Sequence, residues 1–327
     1  MTVTCVYSVS GDYAGWPANH GAWQFGDELL VGFLRGPFKR RSLHNIGHPR
    51  EKILARSLDG GISWAIEKPD VDFECSEEAV VSADPNIDLT RDIIRACGVY
   101  DHGGEACAVS GGFYVSSDRG HSWRGPYKQP HRNGMFGTSR TCVVSSLGLV
   151  LFSHSAELFQ DEVSIYRANQ DGVTYVSTLD TGGGRAVMPS AATINGDLYV
   201  ALRRRRSDRC WIDVRCSSDG GLSFGPPSLV ADTGGHNGNP PALLAIGESL
   251  ICAFAHRDSG RIVLRVSHDR GLKWDREFTI AIGTCHDIGY PQLFLARGSV
   301  VCVYYWSQAG ESQSIMATRV PVGEVMA

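Results

Sequence analysis

Apolar residues along this 327-residue chain alternate with polar ones or run in short blocks broken by glycine-containing turns. That is the pattern of paired strands. One phrase recurs as HGAWQFGDELLVGF (20–33), RTCVVSSLGLVLFSH (140–154), MPSAATINGDLYVALR (188–203), NPPALLAIGESLICAFAHR (239–257) and YPQLFLARGSVVCVYYW (290–306). Each predicts a two-strand hairpin, and a less regular sixth pair is expected within residues 84–100.

A second phrase lies between the hairpins: SLDGGISW (57–64), SSDRGHSW (116–123), SSDGGLSF (217–224) and SHDRGLKW (267–274). Asp59, Asp118, Asp219 and Asp269 fall at one or two multiples of about fifty residues, the period of a propeller blade. The missing copy falls near ANQDGVTY (168–175), where Asp171-Gly172 remains. Asp and Ser side chains can fold back onto turn amides, Gly two positions later accepts positive φ, and the closing Trp or Phe returns apolar surface to the sheet. These aspartates, with His121 and His268 beside them, are therefore expected to latch turns.

Six units of four strands fit the length and predict an all-β, six-bladed β-propeller as one domain over 1–327. TVTCVYSV (2–9) reads as a strand without a repeat of its own, and SIMATRV (314–320) as the last strand. The two termini are expected to complete one blade and close the ring, which leaves no open sheet edge.

Composition narrows the function classes. The 38 glycines suit a turn-rich chain, and a net charge of −4 argues against a general nucleic-acid binder. The basic run Arg203-Arg204-Arg205-Arg206 is split by strand alternation, so Arg203 is expected to face the centre and Arg204 and Arg206 a solvated blade edge. No apolar run approaches a membrane helix and no basic-then-apolar leader is visible. Ten cysteines without a CxxC pair suggest reduced thiols in a cytoplasmic protein. His44 and His48 stand in a Gly/Pro-containing loop rather than on a helix, so neither a metal site nor a cofactor is expected.

The S-x-D-x-G-x-S/T-W turns resemble the Asp boxes of sialidases and related BNR-repeat proteins, over almost the whole chain. The resemblance implies a propeller whose centre holds three arginines for a substrate carboxylate, a Tyr nucleophile paired with a Glu, and an Asp acid/base. By position, Arg203 resembles the second family arginine, Arg257 or Arg261 the third, and Tyr290 the tyrosine, with Arg35 available as a further carboxylate-binding group. The chain departs from the family in three places. It has His20-Gly21-Ala22-Trp23 where the family carries Phe/Tyr-Arg-Ile-Pro, no acid in LRGPFKRRSLHNIGHP (34–49), and Met188 where the family has Glu.

Three readings follow. A sialidase-like exo-glycoside hydrolase would act on an acidic sugar at the central face, with acid/base carboxylates drawn from Asp84, Asp88 and Asp287, or from Glu77, Glu78, Glu157 and Asp161. A histidine-dependent uronate lyase or hydrolase would use His20 or His44 as base, arginines to hold the uronate and Tyr290 as proton donor. A non-catalytic propeller would bind an acidic glycan through the same arginines with Trp16, Trp23, Tyr304 and Trp306. In all three the partner is an acidic oligosaccharide or glycoside, not nucleic acid or membrane, and the first is the leading expectation.

Overall fold

The computed structural model describes residues 1–41, 44–73, 85–98, 111–130, 136–155, 161–275, 277–283, 285–307 and 312–327. Asp84 and the candidates Glu77, Glu78 and Glu157 lie outside the described residues. The chain opens with β1 (Thr2–Tyr7), β2 (Asp12–Gly15) and a single helical turn, α1 (Pro17–His20). Blade one is β3 (Ala22–Phe25), β4 (Glu28–Pro37), β5 (Glu51–Ser57) and β6 (Ala65–Glu67), with β2 paired to the far half of β4. Blade two contributes β7 (Ile93–Cys97), β8 (Gly112–Ser116) and β9 (Arg124–Lys128).

Blade three is β10 (Phe136–Val144), β11 (Leu149–Ser155), β12 (Asp161–Asn169) and β13 (Gly172–Thr178). Blade four is β14 (Arg185–Ile194), β15 (Asp197–Arg206), β16 (Arg209–Ser217) and β17 (Ser228–Asp232). Blade five is β18 (Ala242–Ile246), β19 (Ser249–His256), β20 (Arg261–Ser267) and β21 (Phe278–Ile282). Blade six is β22 (Gly289–Ala296), β23 (Ser299–Trp306) and β24 (Ser314–Pro321), completed by β1 with Thr2 opposite Arg319. The ring is a six-bladed propeller closed by both chain ends.

Strand alternation builds the core between blades. Leu149, Leu151, Val163 and Ile165 of blade three meet Leu198, Val200 and Leu202 of blade four in one buried cluster. Each such side chain contributes about 1.5–3 kcal/mol relative to exposure. Close approach also matters: a Cβ at Gly32 would overlap the His20 carbonyl oxygen, so glycine lets α1 dock on β4 through Gly32 N–H to Gly21 O, 2.8 Å.

The Asp-containing turns latch as expected. The Ser57 hydroxyl donates to Asp59 Oδ1 at 2.8 Å and accepts the Gly61 amide at 2.8 Å, while Asp59 accepts the Ser63 amide at 2.9 Å and hydroxyl at 2.6 Å. Asp118, Asp219 and Asp269 repeat the Ser-to-Asp bond and the bond from the amide four residues on. The Ser223 hydroxyl and amide hold the Asp219 carboxyl down to about 2. At Asp59 slight burial works upward, but the Ser63 and Ser57 bonds outweigh it and the value is again about 2. Ser57 pairs with Leu29 at the start of β4, whereas the β23 end pairs Tyr305 with Gly289, so latches and β22 start occupy opposite ends of the blades.

Two expectations are corrected. Within 84–100 the described residues hold one strand, β7, rather than a pair. The Asp88 carboxylate takes the Thr90 amide and hydroxyl, and the Asp92 carboxylate takes the Asp88 amide, so this stretch becomes a side-chain-bonded turn. Arg204 is not a solvated edge residue. It is 3% exposed, donates to Asp213 Oδ2 at 2.9 Å, and binds the carbonyls of Thr181, Gly183 and Arg185 that fold over this face of β15.

At the middle of the ring one guanidinium joins several blades. Arg140 of β10 donates to the carbonyls of Ala18 (2.9 Å), Pro241 (3.1 Å) and Pro189 (3.3 Å), each from a different inner segment. Burial draws its pKa down to about 10. A cavity of about 340 Å³, lined by Trp23, Arg91, Asp92, Arg95, Arg140 and Phe294 among others, runs along the inner strands.

Candidate active site

The site grows from irregularities at the starts of inner segments. Tyr290 (φ 49) precedes Pro291, Met188 (φ 58) precedes Pro189 and Trp16 (φ 58) precedes Pro17. Positive φ at large side chains costs of order 1–3 kcal/mol and is retained where the surroundings fix it. Pairing slips at two of these places, between Val187 and Ser190 in β14 and between Gly289 and Gln292 in β22. The slips turn Met188 and Tyr290 to the same group: Arg203 Nη1 donates to the Tyr290 hydroxyl at 3.2 Å and to Met188 Sδ at 3.4 Å.

Arg203 ends its inward run at the carbonyl of Asn237, reached by Nε at 3.1 Å and also by Nη2. Burial draws its pKa down to about 10. Arg257 donates to Tyr305 Oη at 2.9 Å, to the His236 carbonyl at 3.1 Å and to the Ile288 carbonyl at 3.3 Å. Its guanidinium lies 5.5 Å from the Tyr290 ring centroid. Burial disfavours its charge, but Tyr305, Tyr290 and Asp287 outweigh that and hold its pKa above the usual arginine value. The Asn239 side chain fixes the start of β22, accepting the Tyr290 amide at 3.2 Å and donating to the Ile288 carbonyl at 3.2 Å.

Next to the arginines sits a buried carboxylate. Asp287 Oδ1 accepts from Tyr305 Oη at 2.7 Å and faces His44 Nδ1 at 3.1 Å, while Oδ2 accepts from Tyr13 Oη at 2.8 Å. Burial pushes its pKa up, yet His44, Arg257 and the Tyr305 hydroxyl together hold it below the ordinary carboxylate value. Burial raises Tyr13 and Tyr305 well above the ordinary tyrosine value, and Asp287 adds to this. Trp16 packs on Tyr13 at 4.9 Å and meets His44 edge-on at 5.0 Å. Two guanidiniums against one carboxylate leave this centre suited to an anion.

The other sequence candidates are placed around it. Arg35 is half-buried and bonded to Glu51 Oε2 at 2.7 Å and Tyr7 Oη at 3.2 Å. His20 Nδ1 faces Arg95 Nη2 at 3.1 Å, and since a guanidinium only donates, Nδ1 accepts there. Asp88 closes its own turn beside Arg91. Arg261 pairs with Glu277 at 3.2 Å, so Arg257 is the arginine beside Tyr290. Asp161 accepts from the Ser155 hydroxyl at 2.6 Å and stands 3.2 Å from Arg185, with burial raising its pKa.

Of Trp16, Trp23, Tyr304 and Trp306, the aromatics expected to hold a glycan, Trp16 joins the cluster through the contacts above. Tyr304 faces the core between blades five and six and bonds Thr318 at 2.7 Å, Trp306 packs at the edge of that core, and Trp23 meets Trp123 at a tilt with ring centroids 5.5 Å apart. Sequence reasoning missed Tyr13, Tyr305, Asn237 and Asn239. Tyr305 had a usable signal, since it is the strand neighbour of Tyr304 on the opposite face. Among the described residues, no three His, Cys, Asp or Glu side chains are grouped to hold a metal ion.

No protein-family model matches the chain, and no curated protein matches it in sequence. Solved structures do match in fold. A Dyadobacter fermentans protein of unknown function superposes with a TM-score of 0.73 at 16% identity, covering 97% of each chain. The Trypanosoma rangeli sialidase in complex with the inhibitor DANA gives 0.61 at 12% identity, over 96% of this chain and 56% of that one. An α-L-arabinofuranosidase of Fusarium graminearum gives 0.58 at 12% identity, over 99% and 100%. The fold is thus one that known glycoside hydrolases use.

Proposed function

We propose that the protein is a glycoside hydrolase acting on a carboxylate-bearing sugar at the Tyr290 face. The observation that carries this reading is the position of Tyr290 between two buried guanidiniums, Arg203 on its hydroxyl and Arg257 beside its ring. N–H groups of Arg257 not used on protein acceptors would receive the sugar carboxylate. The Arg203 N–H would stabilise charge on the Tyr290 oxygen as its proton leaves.

With Met188 in place of the family's Glu, a single displacement requires fewer parts than a tyrosyl intermediate. His44 Nε2, its Nδ1–H held by Asp287, takes a proton from water; the water oxygen bonds to the anomeric carbon as the glycosidic bond breaks. The leaving oxygen receives the Tyr290 proton, and the proton on His44 returns to Tyr290 through solvent.

One observation favours a second reading, elimination from a uronate. The His44–Asp287 bond orients a base that could equally remove the proton beside a carboxylate, with Tyr290 protonating the leaving oxygen. The experiment is to incubate the protein with sialosides and with uronate oligomers, following released saturated sugar and the ultraviolet absorbance of an unsaturated uronate. Saturated sugar, lost in Tyr290→Phe and Arg257→Ala, supports hydrolysis. Unsaturated product replaces it with elimination, and binding without turnover across both panels overturns both.

A further inference from the structure

A second concentration of guanidinium groups lies behind the first. Alternation along β15 sends Arg203 toward Tyr290 and sends Arg204 and Arg206 to the other face. There they meet Arg209, Trp211, Asp213 and Arg215 around an open cleft of about 400 Å³. Four cationic side chains thus line this cleft with one carboxylate.

That carboxylate is already committed. Asp213 Oδ2 takes Arg204 Nη1 at 2.9 Å and the Trp211 indole N–H at 3.0 Å. Arg209 reaches outward to Asp232, a pair in which both side chains are more than half exposed and which is therefore worth little. Arg206 is exposed, and its side chain makes no hydrogen bond with the described residues. Arg215 Nε is buried without a hydrogen-bond partner among the described residues. Burial first, and then the charge of Arg215, push the Arg204 pKa down despite Asp213, so an incoming negative charge would be favoured here.

The walls say what should carry the charge. The Trp211 ring has Arg204 at 5.2 Å and Arg209 at 5.1 Å from its centroid, and its indole N–H is pinned by Asp213. Pro227 and Leu229 add an exposed apolar side, Leu229 being 49% exposed. A small inorganic ion would leave that side wet, whereas a sugar ring would cover it.

We propose that this cleft is an accessory site for an acidic glycan, holding a carboxylate or sulfate-ester group on Arg206, Arg209 and Arg215 with the sugar ring against Trp211, Pro227 and Leu229. It shares a ligand class with the function proposed for the Tyr290 face but does not depend on turnover there.

The test follows the Trp211 indole N–H resonance, assigned with Trp211→Phe, while intact protein is titrated with a sulfated, a carboxylated and a neutral oligosaccharide of equal length and with inorganic sulfate. The anionic oligosaccharides should shift it saturably. Arg206→Gln/Arg209→Gln, both surface changes, should weaken that binding on the order of tenfold, and Tyr290→Phe should leave it unchanged. A persistent shift in a protein that turns over no glycoside would separate this site from the catalytic reading. The proposal is overturned by no shift, by equal response to the neutral oligosaccharide, by inorganic sulfate saturating at the same concentration as the glycan, or by a double variant that titrates like the parent.

Discussion

His44 Nδ1 lies 3.1 Å from Asp287 Oδ1, joining the connection after β4 to the segment just before β22. An ionised carboxylate only accepts, so the bond places a proton on Nδ1 and fixes the orientation of the His44 ring. Two tyrosine hydroxyls share the same carboxylate, which makes it the hub of the site.

Asp287→Asn tests that hub. An amide NH₂ at the Oδ1 position takes the acceptor from both Tyr305 and His44, which can then pair only in its reversed tautomer, whereas at the Oδ2 position it takes the acceptor from Tyr13. Activity on whichever substrate is turned over should fall about a thousandfold or more. Stability in urea should fall by about 2–3 kcal/mol, because buried hydroxyls lose a charged acceptor. An Asn variant with parental kcat would remove His44 and Asp287 from the chemistry.

Acid stability should track the turn latches. Asp59 and Asp219 have folded values of about 2, below the ordinary aspartate value of about 3.9. A depressed folded pKa adds stability that is present above the unfolded value and is lost as pH falls through the folded one. Urea midpoints measured from pH 7 downward should therefore drop between about pH 4 and pH 2. Asp59→Asn/Asp219→Asn should be less stable at pH 7 and lose less over that interval. An unchanged slope would mean that other carboxylates dominate.

The latches also explain why the fold was so legible. Their hydrogen bonds close within four residues, so sequence spacing alone phases the strands and reveals the closing pair β1 and β24. The site depends on partners that local pattern does not contain. His44 and Asp287 are 243 residues apart. Alternation separates Tyr304 from Tyr305, but it does not say which face of β23 looks toward Tyr13 and Trp16. The burial of Arg204 depends on carbonyls of the Thr181–Gly183 turn, which no residue-type pattern marks as acceptors. Arg203, Arg257 and Tyr290 were findable because each begins or ends a repeated hairpin.

Tyr290→Phe separates chemistry from packing. The ring stays between Tyr305, at 5.8 Å, and the two guanidiniums, but Arg203 Nη1 loses its oxygen acceptor. Unfolding free energy should fall by about 1–3 kcal/mol, the cost of a buried donor left unsatisfied. If Tyr290 is the proton donor, kcat should fall about a hundredfold or more with KM little changed. A loss confined to KM would make Tyr290 a binding group only.

Arg140 sets the last expectation. Its guanidinium gives one N–H to each of three carbonyls, from α1, β14 and the segment before β18, in a planar fork that a lysine ammonium cannot copy. Arg140→Met leaves three buried acceptors short of a donor while removing a buried charge whose pKa burial already draws down to about 10. Lost hydrogen bonds cost about 1–3 kcal/mol each when a buried group is left unsatisfied, and relief of the desolvated charge offsets part of that. Net destabilisation of about 3 kcal/mol in urea is expected, and Arg140→Lys should recover less than half, because its ammonium keeps the desolvation cost but loses the fork. Parental stability in both variants would show that the carbonyls at the ring centre are satisfied without Arg140.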